Sequence, residues 1–147
     1  MALRKLSGGS VVPNSPEKLL LGLPRRKIKG LLVHQGEMLK AYAQNQKEPD
    51  IALQLPTGSG KTLVGLLIAE WRRRKYKQQV VYLCPTNQLV NQVVEQAREQ
   101  YGLMVDGFTG PIKSYDPNAK ANYRTANSVA VTSYSSLFNT NPFFDSP

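Results

Sequence analysis

Apolar positions along the chain fall into two kinds of pattern that alternate. Asp50-Ile51-Ala52-Leu53-Gln54-Leu55, Val80-Val81-Tyr82-Leu83-Cys84 and Ser128-Val129-Ala130-Val131-Thr132 are short, mostly continuous apolar runs, which predict buried strands, the first two stopped by Pro56 and Pro85. Leu103-Met104-Val105 predicts a further short strand. Between them the apolar positions recur at helical spacing. Met38, Leu39, Tyr42 and Ala43 predict a helix from Gln35 to about Ala43, and Leu63 to Trp71 a helix apolar on more than one face. Leu89, Val90, Val93, Val94, Ala97 and Tyr101 mark one face of a third helix, which Gly102 is placed to end. Residues 111–127 are polar and irregular, with a brief helix expected around Ala119 to Arg124, and Tyr134 to Phe138 predicts the start of another.

Strands alternating with amphipathic helices predict an α/β fold with a parallel sheet covered by helices on both faces. Ligands of such sheets sit at the carboxyl ends of the strands, where the turns at Pro56, Pro85 and Thr132 would open together. Residues 1–16 carry little periodicity and read as a flexible N-terminal arm, leaving 17–147 as a single domain.

Composition narrows the class. The chain has 147 residues, 41% of them hydrophobic and 20% charged, which describes a globular domain and is too short for two ordinary ones. No apolar run is long enough to span a bilayer and no signal-peptide core follows Arg4 and Lys5, so a cytoplasmic location without membrane attachment is expected. The single Cys84 excludes an internal disulfide or a multi-cysteine zinc site. The net charge of +9 favours a polyanionic partner. The block Arg72-Arg73-Arg74-Lys75 is read two ways: a solvated helix end complementing the helix dipole, or a nucleic-acid contact.

The turn Pro56-Thr57-Gly58-Ser59-Gly60-Lys61-Thr62 lies between a predicted strand and a predicted helix. Two glycines let successive N–H groups point inward at phosphate oxygens, and the helix adds its positive end. Lys61 is placed to reach the β- and γ-phosphates and Thr62 to ligate Mg²⁺, so the turn predicts a nucleotide phosphate loop. The usual pattern has Gly six positions before the Lys, where this chain has Leu55.

Pro56 to Thr62 resembles motif I of the superfamily 2 helicases, the DEAD/DEAH-box class of nucleic-acid-dependent ATPases. Cys84-Pro85-Thr86-Asn87-Gln88-Leu89 resembles their motif Ia, Phe108-Thr109-Gly110 their short Thr-Gly element, and Val131-Thr132-Ser133-Tyr134 their motif Ic. The resemblance spans roughly residues 28–140 and implies a P-loop NTPase (RecA-like) domain that binds ATP with Mg²⁺. It implies strand contacts on DNA or RNA from Pro85, Thr86, Asn87, Thr109, Gly110, Thr132 and Ser133. Gln35, 26 positions before Lys61, lies about where related helicases keep a Gln that reads adenine, a task its amide suits. Plain helix caps and turns explain the Thr residues equally well.

Hydrolysis needs carboxylates that hold the metal and position water. The chain contains no Asp-Glu or Asp-Asp pair; Asp106 is followed by Gly and reads as part of the third strand rather than as the metal acid. The expectation is therefore a partial RecA-like domain, cut before the DEAD/DEAH motif and lacking its second RecA-like partner domain, that binds nucleotide but turns it over poorly alone. The alternatives are a non-catalytic nucleic-acid-binding module with a vestigial loop and, further off, a small P-loop kinase.

Overall fold

The computed structural model describes residues 11–56, 58, 60–139 and 141–144. Its regular elements, in chain order, are α1 (Val33–Gln44), α2 (Lys61–Tyr76), β1 (Val81–Cys84), α3 (Asn87–Gln100), β2 (Val105–Phe108), α4 (Pro117–Arg124), β3 (Val129–Ser133) and α5 (Tyr134–Phe138), with short 3-10 turns between some of them. The three strands form one parallel sheet in the order β1-β3-β2, with Val81 beside Ala130 and Val105 beside Val129. The last strand in sequence is thus the central one. All five of its residues are buried, whereas Val81, Tyr82 and Leu83 of the edge strand β1 are only half-buried.

Alternation along β3 divides the core. Val129 and Val131 face a cluster built from α1, α2 and α3, including Leu39, Leu66, Trp71 and Val90. Ala130 faces the opposite side, where Phe108, Tyr115, Tyr123 and Phe143 pack as an aromatic cluster under α4. Phe108 lies 5.0 Å from Tyr115 and 5.2 Å from Phe143, ring centre to ring centre. Helices do cover both faces, and the fold is α/β as the sequence pattern requires.

The expected strand over Asp50–Leu55 does not form. A strand needs a ladder partner, and among the described residues none pairs with the outer edge of β1. Ile51, Leu53 and Leu55 still pack against the core while Ala52 and Gln54 are exposed, so the segment buries one side only. Strand β2 begins two residues later than expected, because Gly102 (φ +67°) turns the chain and Leu103 N–H bonds back to the Ala97 carbonyl at 2.9 Å. Of the segment read as an arm, residues 1–10 lie outside the described residues. Val12 packs on the core, Pro16 is buried, and Trp71 Nε1 donates to the Pro13 carbonyl at 2.8 Å, which ties 12–16 to α2.

Arg73, Arg74 and Lys75 of the basic block lie in the last turn of α2, and much of the block is engaged internally. Glu70, 1% exposed, accepts from Arg73 through both oxygens (2.7 and 2.9 Å) and from Arg74 Nε at 2.8 Å. Arg73 also donates to the Ala126 carbonyl at 2.9 Å, and Arg72 to Tyr42 Oη at 2.9 Å. Lys75 sits over the Trp71 ring, 5.6 Å from its centre. The block joins α2 to its neighbours more than it forms a free polycationic face.

Candidate nucleotide site

The phosphate loop is described at Pro56, Gly58 and Gly60; Thr57 and Ser59 lie outside the described residues. Gly58 and Gly60 both have φ +75°, a region that strains any residue with a side chain. Gly60 is the N-cap of α2, and among the described residues no side chain caps that end, so the first N–H groups of the helix are open to other acceptors. Lys61 opens the helix and is exposed. This end of α2 thus has the groups an anionic phosphate needs: uncapped amides, a helix dipole and an ammonium.

Gln35 is placed against this loop although 25 residues separate it from Gly60. It is 5% exposed, its Nε2 donates to the Gly60 carbonyl at 3.3 Å, and its Oε1 accepts from Leu32 N–H at 2.9 Å. The second bond is an N3 side chain reaching back to its own helix start, which fixes the amide. A Cβ on Gly60 would collide with the Gln35 amide nitrogen.

Tyr82 is the site residue that sequence reasoning missed. Its phenol comes within the influence of the Thr62 hydroxyl, and its ring crosses α2 at Gly65, where an added Cβ would lie 2.9 Å from Cε2. Burial pushes the phenol above its ordinary value of 10.0, and the Thr62 hydroxyl offsets part of that rise. The one signal for it was a hydroxyl-bearing ring in an otherwise aliphatic strand.

A nucleotide's metal finds less. Among the described residues no group of three His, Cys, Asp or Glu side chains could hold a metal ion. Asp106 is engaged elsewhere, accepting from Ser128 Oγ at 2.6 Å, Asn122 Nδ2 at 3.2 Å and Arg98 at 3.3 Å. It lies on β2, which runs into Thr109-Gly110, in keeping with the strand reading. Among the described residues of the loop and first helical turn, the Thr62 hydroxyl is a donor that fits a phosphate-bound metal as one ligand.

The other expected contact residues do gather at the carboxyl ends of β1, β2 and β3. Pro85, Thr86 and Asn87 are exposed, and Thr86 Oγ1 caps α3 by accepting from Leu89 N–H at 3.2 Å. Thr109 is half-buried and Gly110 exposed at φ +76°. Thr132 is different: fully buried, it donates to the Phe108 carbonyl at 2.7 Å and locks β3 to β2. Ser133, 2% exposed, accepts from Ser136 N–H at 3.3 Å and caps α5. Neither side chain is presented at the surface, so the strand-end surface is carried by the loops after β1 and β2.

No helix among the described residues is long and apolar enough to cross a membrane. No curated protein and no solved structure matches the chain. The family model for the DEAD/DEAH box helicase domain matches residues 33–140, a span that takes in α1 with Gln35, the phosphate loop and all three strands. The chain belongs to the DEAD/DEAH box helicase family.

Proposed function

We propose that this chain is the ATP-binding portion of an ATP-dependent nucleic-acid helicase or translocase, and that its 147 residues alone turn ATP over poorly. The observation that carries the reading is the uncapped start of α2, with Gly60, Lys61 and Thr62 in sequence and Gln35 held against them. In this reading the Lys61 ammonium and the amides of the loop and first helical turn hold the β- and γ-phosphates, including those of Thr57 and Ser59. Gln35, with both ends of its amide already directed, exchanges its Gly60 contact for the adenine edge. The Thr62 hydroxyl would hold Mg²⁺ as one ligand, and the metal would supply charge neutralisation at the phosphates. Pro85, Thr86, Asn87, Thr109 and Gly110 meet the phosphates of a DNA or RNA strand, with Thr132 and Ser133 contributing backbone only. Partnership with a second RecA-like domain and a cytoplasmic setting belong to the same proposal.

Poor turnover is supported by the lack, among the described residues, of any group of three His, Cys, Asp or Glu side chains that could hold a metal, since a phosphate cradle without a metal-holding acid and a water-positioning base has half of the machinery. The test is a fluorescent-ATP titration together with a steady-state ATPase assay, each with and without single-stranded DNA or RNA. Measurable affinity that Lys61→Ala removes, with negligible turnover, supports the proposal. Robust stimulated turnover abolished by Lys61→Ala would overturn the claim of poor turnover, and absence of nucleotide binding would favour a bare nucleic-acid-binding module.

A further inference from the structure

The end of the sheet opposite the phosphate loop carries a second built feature, independent of the nucleotide reading. Where β2 begins, a cavity of about 590 Å³ opens between the turn at Pro24 and the end of α3. Its floor is apolar, made by Leu23, Leu103 and Val105, each at most 2% exposed, and its rim carries Arg25, Arg74 and Arg98. A second cavity of about 380 Å³, lined by Lys18 among others, shares Arg74 with the first.

The charges at the rim are not balanced from within. Among the described residues Asp106 is the one acid lining the trough, and its carboxylate is divided among Ser128, Asn122 and Arg98. Arg74 shares Glu70 with Arg73, so one carboxylate serves two guanidiniums. The rim is also held in place. Lys27 N–H bonds to the Gln100 carbonyl at 2.8 Å, and the basic turn lies so close to Gly102 that a Cβ there would sit 2.8 Å from the Arg25 carbonyl carbon. Arg98 is clamped by two bonds to the Val105 carbonyl, at 3.1 and 2.7 Å. A preformed site loses less ordering entropy on binding.

We infer that this trough docks an acidic segment of a protein partner, an apolar side chain entering over Leu23, Leu103 and Val105 while flanking carboxylates meet Arg25, Arg74 and Arg98. Planar guanidiniums pair with carboxylates through two parallel hydrogen bonds, and an apolar floor favours an apolar anchor. Met104, 56% exposed at the wall, adds adaptable contact area of the kind protein surfaces use. A nucleic-acid strand fits less well: among the described residues no aromatic side chain lines either cavity to stack a base, and phosphates leave the floor without a partner.

The test uses the full chain and a set of fluorescein-labelled acidic peptides, each with a central Leu, Ile, Phe or Met between Asp and Glu residues, read by fluorescence anisotropy. Binding by wild type is expected, lost when the central residue is Ser. Arg25→Glu, at an exposed position, is expected to weaken it about five- to tenfold, whereas Lys47→Glu, the same charge change elsewhere, leaves it within about twofold. Met104→Glu is a second probe of the wall and is expected to weaken binding similarly. No binding by any peptide, equal loss in Arg25→Glu and Lys47→Glu, or indifference to the central residue each overturns the proposal. So does a single-stranded oligonucleotide whose binding falls in Arg25→Glu more than the peptide's.

Discussion

Gln35 Nε2 donates to the carbonyl of Gly60 at 3.3 Å, joining the first turn of α1 to the phosphate loop across 25 positions of sequence. Gly60 has φ +75° and no room for a side chain on the Gln35 side. Gly60→Ala therefore combines backbone strain with a collision, a cost of roughly 1–3 kcal/mol. In a Gln35→Ala background the collision is removed, so the two changes are expected to be non-additive in urea unfolding. Additive effects would show that the contact is not made in solution.

The Thr62 hydroxyl lowers the Tyr82 phenol's pKa against the burial that raises it. Thr62→Val removes the opposing effect and leaves the burial. A difference titration of tyrosinate absorbance between wild type and Thr62→Val is expected to show one phenol ionising at higher pH in the variant. Superimposable titrations would refute the pairing.

Alkali should unfold the protein early. Burial raises Tyr82, Tyr101 and Tyr123 above their ordinary 10.0 and Cys84 above its ordinary 9.0. Each group holds its proton more tightly folded than unfolded, so its contribution is complete below the ordinary value and is lost as pH rises through the raised one. The urea midpoint is expected to hold below about pH 9 and to decline above it. Cys84, 2% exposed, should also resist alkylation until denaturant is added.

Glu70→Ala leaves Arg73, 8% exposed, without its carboxylate. Stranding a buried charge costs about 3–5 kcal/mol, although replacing a whole buried pair by apolar residues is often nearly neutral. Glu70→Ala is expected to show the larger loss and Glu70→Leu with Arg73→Met a much smaller one, by urea unfolding. Equal losses would mean that Arg73 reaches solvent.

Much of the site is legible in the residue order alone. The pair Gly58 and Gly60 ahead of Lys61 and Thr62 implies a phosphate turn because few other residues allow that backbone, and the order of the later motifs implies the family. What residue order does not contain is which polar atoms are already bonded within the fold. Thr132 and Thr86 look alike as threonines at strand ends, yet one commits its hydroxyl inside the sheet and the other caps a surface helix. Tyr82 has the pattern of a core residue, and only the crossing of its ring over Gly65 brings it to Thr62.

By itself the sequence determined most of the local elements, since apolar spacing chooses between helix and strand, and it determined the phosphate loop, since glycine geometry is local. The tertiary structure decided the rest. It made β3 the central strand, left Asp50–Leu55 without a ladder, and brought Gln35 to Gly60. It also turned Arg73 and Arg74 towards Glu70 while leaving Arg25 and Arg98 at the rim of an apolar trough. Strand order, ladder partners and the pairing of charges are long-range choices, set by which surfaces meet when the chain closes on itself, and no short window of residues contains them.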